Sequence, residues 1–234
     1  MPSAVDAQTA NRILALVPRK DRQHLLARCD KVALTPADEL CKPGERMGYV
    51  YFPIDSFVAM VAPIDEVVMQ VGMVGREGVV GASLMLGVDN SSLRGIVQGG
   101  GSAWRISAAD FREEAERSPS LRQKVNRYLC VQIGQLAQNA GCARFHLVEA
   151  RLASWLLMAR DRAHGNEFFI THEFLANMLG VRRVGVTNAA GALQARKLIR
   201  YSRGNVTILN GRGLESAACE CYRTGKEMYA SVLG

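Results

Sequence analysis

One stretch of about twenty residues constrains this 234-residue chain more than any other. A small side chain, Ala176, stands where two helices must cross closely, and Gly180 follows where a tight turn requires a residue that readily adopts positive φ. Apolar residues at helical spacing surround this pair. The spacing predicts a helix-turn-helix over residues 172–191, with Thr171 as the N-cap. The positions that carry the pattern are Leu175, Ala176, Leu179, Gly180, Val186, Ala189 and Leu193.

The segment from Leu198 to Leu209 alternates in the manner of a β-hairpin. Ile199, Tyr201, Val206 and Ile208 mark the two strands, and Arg203-Gly204-Asn205 forms the turn. A hairpin after the second helix of such a unit is a wing, and its tip arginine is placed to reach phosphate or the minor groove. The alternative is a structural hairpin that makes no contact with a ligand.

The positive charge of the chain is concentrated in this same region. The whole sequence has a formal net charge of +7. Residues 171–212 hold seven basic residues and one acid, Glu173, which gives +6. This imbalance is the electrostatic footprint expected of a phosphate-contacting module, and the alternative is an ordinary solvated basic surface. The basic residues are Arg182, Arg183, Arg196, Lys197, Arg200, Arg203 and Arg212.

The outward residues of the second helix point to contacts with a DNA duplex. Arginine pairs bidentately with guanine, asparagine with adenine, and an apolar side chain can contact the thymine methyl group. We therefore predict base contacts by Arg183, Val184 and Asn188. Phosphate contacts, which position the protein, are predicted for Arg182, Thr187 and Arg203.

The first half of the chain has a different residue pattern. Residues 8–29 carry helical spacing interrupted by Pro18, which predicts one or two short helices. Between Lys31 and Ser107, short β-branched or aromatic runs alternate with Pro and Gly, which is typical of an antiparallel β-roll. The runs are Val32–Leu34, Tyr49–Phe52, Phe57–Val61, Val67–Val71, Ile96–Gln98 and Ala103–Ile106.

A long helix is predicted to connect the two halves. Residues 108–117 form a first helix, and Ser118-Pro119 opens a second that runs towards Ala143. A narrow apolar seam on this helix needs a partner, and a second copy of the chain is the simplest one, although burial on its own domain is the alternative. The seam consists of Val125, Leu129, Ile133, Leu136 and Ala140.

The order of these elements, with Ile170 to Ala176, Leu179 to Arg183, Leu193 and Leu198-Ile199, resembles the Crp/Fnr superfamily of bacterial transcription regulators. The resemblance implies an α+β fold with a β-roll sensor (residues 1–117), a dimerisation helix (118–144) and a winged helix-turn-helix (145–234). It also implies a homodimer that binds a roughly palindromic operator. The family's arginine after the turn falls on Arg183, and its later base-contacting position on Asn188. Val184 replaces a frequent glutamate, so the operator sequence cannot be transferred.

The predicted sensor domain lacks the ligand-binding motifs of those Crp/Fnr members whose ligands are known. The resemblance places the arginine that grips a cyclic phosphate near Ser91-Ser92-Leu93, and Arg94 is not followed by Ser/Thr-Ala. Cys29 and Cys41 do not supply the closely spaced cluster of the iron–sulfur members. None of the four histidines, including His164, sits in a pattern that specifies a haem ligand. The effector, if there is one, and any cofactor stay unassigned.

The remaining motifs predict no metal site and no catalysis. Cys219-Glu220-Cys221 is a C-x-C pair without a second pair at metal spacing, while Cys130 and Cys142 are candidates for oxidant sensing. No nucleophile–base pair is evident, and no histidine cluster supports a cupin-like enzyme. Scattered cysteines and the lack of a secretory or membrane-spanning segment favour a cytoplasmic protein.

We therefore expect a sequence-specific transcription regulator whose partners are double-stranded DNA, a second copy and RNA polymerase, with no membrane partner. The alternative is a small-molecule-binding signalling protein whose winged helix contacts another protein. That alternative predicts no salt-dependent affinity for duplex DNA.

Overall fold

The computed structural model describes residues 10–64, 67–163 and 165–233. The chain divides into two compact units, and each comprises segments that are distant in sequence. The first unit comprises Met1–Met60, Gly72–Ile133 and Tyr229–Gly234, and the second comprises Val61–Val71 and Gly134–Met228. Residues 1–9 of the predicted sensor domain and His164 lie outside the described residues. The predicted domain boundaries at 117/118 and 144/145 stay predictions.

Among the described residues, the first unit contains two short helices, seven strands in whole or part, a 3-10 helix and three further α-helices in whole or part, the last of which is given with the second unit. Two antiparallel sheets of order β1-β7-β3 and β2-β6-β4-β5 are formed by these strands. Their bounds are α1 Arg12–Ala15, α2 Arg19–Ala27, β1 Asp30–Leu34, β2 Glu39–Cys41, β3 Tyr49–Pro53, β4 Phe57–Ile64, β5 Val67–Val74, a 3-10 helix Ala82–Leu86, β6 Arg94–Gly99, β7 Gly101–Ser107, α3 Ala108–Arg117 and α4 Pro119–Phe145.

The completely buried Asn11 attaches the first helix to the sheets. Its side-chain oxygen accepts a hydrogen bond from the Leu14 N–H at 3.2 Å, and its amide donates to the carbonyl oxygens of Pro53 and Gly78 at 3.0 and 2.8 Å. A buried amide costs free energy unless its donors and acceptor are paired, and here all three groups are. The core between the strands is apolar and includes Val50, Phe52, Phe57, Val58, Val97, Ala103, Ile106 and Phe111.

Six of these strands coincide with the runs that were predicted to form the roll, and the sequence analysis missed β2. Glu39, Leu40 and Cys41 are exposed or half-buried, so the strand has no alternating pattern to detect. It exists because Glu39 pairs with Ile96 and Cys41 with Gly95 on β6. Among the described residues, no helix is both long and apolar enough to span a membrane.

A buried carboxylate joins the helices that flank the roll. Glu114 on α3 is 1% exposed at its side chain and contacts His24 at 2.7 Å, Arg28 at 3.3 Å and Arg117 at 2.7 Å. Burial acts to raise the pKa of Glu114, but hydrogen bonds from Arg117, Arg28 and His24 outweigh it and hold the pKa below its ordinary value. Glu114 is therefore ionised and serves as the common partner of these three side chains.

We expect Glu114→Ala to lower the free energy of unfolding by about 3 kcal/mol at pH 7, because the substitution removes the charged hydrogen bonds that the buried carboxylate accepts from Arg28 and Arg117. The pKa of Glu114 is depressed, so its contribution is present above the unfolded value of 4.5 and is lost as the pH falls through the folded value. Urea unfolding at pH 7 and pH 3 measures both effects. Glu113→Ala is the control, since Glu113 is exposed and Arg28 is its ion-pair partner within the described part of the chain. An equal difference from wild type at both pH values would contradict the assignment.

On the long helix α4, one residue of the predicted seam, Val125, does not lie on the exposed side. Val125 is completely buried within its own unit together with Leu121, Tyr128 and Val131, so it is not available to a second copy. The reason is helical geometry: at 3.6 residues per turn, Val125 shares its face with Leu121 and Tyr128. Beyond it Leu129 is half-buried, whereas the remaining seam residues are exposed. These exposed residues are Ile133 (66%), Leu136 (43%) and Ala140.

The second unit is built around a buried helix and a small sheet of order β8-β10-β9. Its central helix α5 buries six apolar residues, and Trp155 on it donates from Nε1 to Oε1 of Gln70 at 2.9 Å. Apolar residues at helical spacing predict a helix over residues 145–162; in the structure this helix begins at Val148, and Phe145 and Leu147 before it are exposed. The elements are α5 Val148–Ala163, β8 Glu167–Phe169, α6 His172–Leu179, α7 Arg183–Ala195, β9 Ile199–Ser202, β10 Asn205–Ile208, α8 Gly211–Ala217 and α9 Cys221–Leu233.

Candidate nucleic-acid interface

Helices α6 and α7 meet through a turn whose geometry follows from its residues. The Thr171 hydroxyl accepts a hydrogen bond from the Phe174 N–H at 3.1 Å, which caps α6 as predicted. Gly180 ends α6 at φ +61°, in the left-handed region that favours glycine. Its N–H donates to the Asn177 carbonyl at 3.2 Å, and the Val181 N–H donates to that of Ala176 at 3.0 Å. This paired closure is a Schellman motif, and it redirects the chain into α7.

The inward faces of both helices are buried, as the spacing predicts. Helix α7 extends to Ala195, four residues past the predicted end of the unit. Since a helix-turn-helix is held together by these apolar contacts, the opposite face of α7 is free to contact a ligand. The buried residues are Leu175, Ala176, Met178 and Leu179 on α6 and Val186, Ala189, Ala190 and Leu193 on α7.

The structure places every predicted contact residue of α7 on this outward face. Arg182 is the N-cap, with extended backbone, and Arg183 is the first helical residue. Val184 is 61% exposed, which is unusual for a valine on a packed helix. Thr187 and Asn188 follow one turn later, and both are exposed. One helix end thus presents two guanidinium groups, an apolar side chain and an amide together.

The hydroxyl of Thr187 already has partners in the protein. It lies 3.1 Å from the carbonyl oxygen of Arg183 and 3.1 Å from Nδ1 of His172. Burial, with the charge of Arg183, lowers the pKa of His172, so its imidazole is neutral near pH 7 and adds no charge to this surface. Because threonine has one O–H to donate, a phosphate contact by Thr187 requires that hydrogen bond to be exchanged.

Sequence reasoning missed the residues that fix the wing to the helix-turn-helix. The ring of His172 stacks on Tyr201 with centroids 4.4 Å apart, and the Tyr201 hydroxyl donates to the Ile170 carbonyl. Gln194 on α7 accepts from the Tyr201 N–H at 2.7 Å. These contacts join residues up to 31 positions apart, so no local sequence pattern predicts them. They hold the hairpin in a defined position beside α7.

The wing turn is one residue shorter than predicted. Ser202 pairs with Asn205, which leaves Arg203 and Gly204 as a two-residue loop with φ of +49° and +86°. Positive φ at both positions defines a type I′ turn, whose twist matches the flanking strands. The φ of +86° favours glycine at position 204, where a Cβ would also lie 2.6 Å from the ring of the exposed Phe169 side chain. Arg203 is exposed at the tip.

The basic residues of residues 171–212 are all exposed, and six of the seven have no acidic partner among the described residues. The exception is Arg196, which pairs with Glu149 at 2.8 Å. Uncompensated cations on one domain generate a positive potential that attracts polyanions. The chemistry of this surface therefore suits a nucleic-acid backbone.

The second unit also holds four side chains that sequence spacing did not connect. We call Cys142, His146, Cys219 and Cys221 the Cys3His cluster; their ligand atoms all lie within 4.8 Å of one another. The hydrogen bond between the thiols of Cys142 and Cys219 lowers the pKa of Cys219 and raises that of Cys142. The usable signal was C-x-x-x-H across the end of α4, followed by a distant C-x-C. It was missed because 77 residues separate Cys142 from Cys219.

Comparison with known proteins agrees with this geometry. A family model described as the Crp-like helix-turn-helix domain matches residues 150–217. The chain carries a Crp-like DNA-binding domain. No protein in a search of curated sequences matches the chain.

Solved structures extend the likeness to the whole fold. A transcriptional regulator of the Crp/Fnr family from Eubacterium rectale has a TM-score of 0.69 at 16% identity and covers 89% of this chain and 98% of its own. The global regulator CLP from Xanthomonas campestris gives 0.66 at 18%, covering 82% and 99%. FixK2 from Bradyrhizobium japonicum gives 0.68 at 13%, covering 82% and 98%.

These findings confirm two predictions. The predicted α+β architecture, with an antiparallel roll, a long helix and a winged helix-turn-helix, is the fold shared with Crp/Fnr structures. The matched helix-turn-helix domain confirms the prediction of a DNA-binding transcription regulator. The residues predicted to contact DNA and the second copy stay predictions.

Proposed function

We propose that this protein is a homodimeric, sequence-specific transcription regulator, with no catalytic role, that binds a roughly palindromic operator through α7. The observation that carries the proposal is the division of α7 into a buried inward face and an exposed face with two arginines and an asparagine. A helix of this kind fits the major groove, where such side chains distinguish base pairs.

In this proposal the contacts divide by type. Arg183, Asn188 and Val184 contact base edges, with arginine on guanine, asparagine on adenine and valine on the thymine methyl group. Arg182 and Arg203 contact phosphates on either side, and Thr187 joins them once its hydroxyl leaves the Arg183 carbonyl. The phosphate contacts fix the register of the helix, and the base contacts select the sequence.

A second copy of the chain is the proposed partner of α4. Ile133 and Leu136 expose apolar side chains on a helix whose other face is buried, and exposed apolar stripes of this kind mark interfaces. A two-fold axis along such helices would present two recognition helices to two half-sites, which is why the operator should be roughly palindromic.

The roll is the proposed sensor, and its signal is not a cyclic nucleotide bound in the family's usual way. Ser91-Ser92-Leu93 stands where the phosphate-gripping arginine is expected, and a phosphate ligand would lose a bidentate contact there. We place the protein in the cytoplasm and include RNA polymerase among its partners, because a regulator of this type works on the chromosome.

Selection of bound genomic fragments by the purified full-length protein tests the proposal. We expect one shared motif with two half-sites about 34 Å apart, one turn of B-DNA, and an affinity that falls steeply with salt. Fragments without a common motif, together with no salt-dependent affinity for any duplex, would instead favour a winged helix that contacts another protein.

A further inference from the structure

The Cys3His cluster has the dimensions of a tetrahedral metal site. With zinc–sulfur and zinc–nitrogen bonds of about 2.3 and 2.05 Å, a regular tetrahedron has edges of about 3.8 Å between sulfurs and about 3.6 Å between sulfur and nitrogen. The Cys142 and Cys219 sulfurs are 3.6 Å apart. Nδ1 of His146 lies 3.5 Å from the sulfur of Cys142 and 3.5 Å from that of Cys221. Three edges of the site therefore match a four-coordinate zinc ion.

Local structure positions each pair of these side chains. Cys142 and His146 are four residues apart at the end of α4, where the His146 N–H donates to the Cys142 carbonyl at 3.1 Å, so both side chains lie on one face. Cys219 and Cys221 bracket the start of α9. The Cys219 N–H donates to the Ala150 carbonyl at 3.3 Å, which fixes the C-x-C segment against α5. The pairs thus come from separate segments that are each held by backbone hydrogen bonds.

A buried hydroxyl supports the most buried of the sulfurs. Ser154 on α5 is 4% exposed, and its Oγ lies 3.1 Å from the Cys219 sulfur and 3.4 Å from the Cys219 carbonyl oxygen. Hydrogen bonds to ligating sulfurs orient them and tune the site, and they are a regular feature of metal centres. A serine in this position gives the cluster an outer shell as well as four ligands.

The composition and compactness of the cluster select the metal. Three thiolates and an imidazole are soft or borderline ligands, which suit zinc and disfavour magnesium or calcium. A cluster of several irons would spread its protein ligands more widely than a single ion does. A Cys142–Cys219 disulfide would use two of the four groups and leave unexplained why Cys221 and His146 converge on the same point.

We propose that the Cys3His cluster binds one zinc ion as a closed structural site in the second unit. Four protein ligands leave no open coordination position, so the ion serves folding and not catalysis. On binding, the three cysteines release their thiol protons to solvent and coordinate as thiolates. The ion ties the end of α4 to the start of α9, beside the α5 helix of the DNA-binding domain. The site stands independently of the proposed operator binding.

Metal analysis of the full-length protein, purified under reducing conditions without an affinity tag, tests the proposal. We expect about one zinc per chain by elemental mass spectrometry, since a closed site of this type binds zinc tightly. Cobalt(II) added to the metal-free protein should give the intense visible bands of tetrahedral coordination and thiolate-to-metal charge transfer. Cys219→Ser and His146→Ala should each weaken zinc affinity by more than about 100-fold.

Matched variants distinguish zinc bound at the Cys3His cluster from zinc bound elsewhere on the protein. Cys130→Ser is the control: Cys130 is exposed on α4 and outside the cluster, so it should leave zinc content unchanged. Ser154→Ala should retain the site but weaken zinc binding by about 10-fold to 100-fold, as loss of an outer-shell hydrogen bond does. Because cobalt binding is measured on the wild-type protein, the test survives even if a ligand variant fails to fold.

Several outcomes would overturn the proposal. Wild-type protein that binds neither zinc nor cobalt(II) tetrahedrally under reducing conditions would show that the four groups are ordinary thiols and an imidazole. A Cys142–Cys219 disulfide in protein isolated anaerobically without bound metal would replace the zinc site by a redox pair. Zinc that persists at one per chain in the Cys219→Ser/Cys221→Ser double variant would place the metal elsewhere.

Discussion

Arg183→Ala should abolish the sequence preference of the protein while leaving a salt-sensitive background affinity for any duplex. A bidentate arginine–guanine pair is worth about 1–3 kcal/mol, and a dimer loses two of them. The affinity for the selected operator should therefore fall by about 2–6 kcal/mol, roughly 30-fold to more than 10⁴-fold. Gel-shift titrations against the operator and a scrambled duplex of equal length measure the two affinities.

The structure gives this prediction its physical basis. Arg183 is the first residue of α7, is exposed, and has no acidic partner among the described residues. Its side chain is therefore free to donate to a base edge without first breaking an ion pair. The backbone of α7 is held by the buried residues on its other face, so truncation at Arg183 should leave the fold intact, which circular dichroism would verify.

Arg203→Ala is the matched control for Arg183→Ala. Both remove one exposed guanidinium, but Arg203 lies at the tip of the wing, where a phosphate contact is proposed. It should weaken binding by a similar factor on operator and scrambled DNA, and reduce the salt slope by about 1 per contact. If Arg183→Ala also weakened both duplexes equally, the proposed base contact would be excluded.

The double variant Ile133→Asp/Leu136→Asp should convert the protein from a dimer into a monomer. Both side chains are exposed in the single chain, so the substitutions cost little in the isolated fold. In a dimer they would bury four unpaired carboxylates, which should weaken association on the order of 10³-fold or more. Sedimentation equilibrium should then give the 25.5 kDa of one chain in place of twice that mass.

The control for this variant is Arg127→Asp, which lies on α4 about half a turn away from the seam and is also exposed. It introduces the same carboxylate on the same helix and should remain dimeric. Operator affinity should fall together with dimer formation, because a monomer contacts one half-site alone. A wild-type protein that sediments as a monomer at all concentrations would refute the dimer.

Local sequence pattern predicted the helix-turn-helix closely because each position has its own steric requirement. Ala176 and Gly180 could hardly be replaced without separating the helices or straining the turn, and the structure shows both in the predicted roles. The strands of the roll were predicted for a similar reason, since short β-branched and aromatic runs form strands and the Pro and Gly residues between them mark where each strand ends. Such constraints act over a few residues and are therefore visible in the sequence.

Other features depended on which distant segments meet. Strand β2 exists through its pairing with β6, and Val125 is buried because α4 turns that face towards its own unit. The stacking of His172 on Tyr201 likewise joins positions far apart in the chain. Periodicity can identify a helix face as apolar, but it cannot tell whether that face meets the same chain or a second one.

By itself, the amino-acid sequence determined the succession of roll, long helix and winged helix-turn-helix, the turn between α6 and α7, and the cationic character of the segment after Thr171. The tertiary structure alone decided that Cys142 and His146 lie beside Cys219 and Cys221. The physical reason is the sequence separation of the residues involved. Caps, turns and amphipathic faces are fixed by neighbours within one or two helical turns, whereas the four side chains of the cluster come together only when distant segments of the chain have folded against each other.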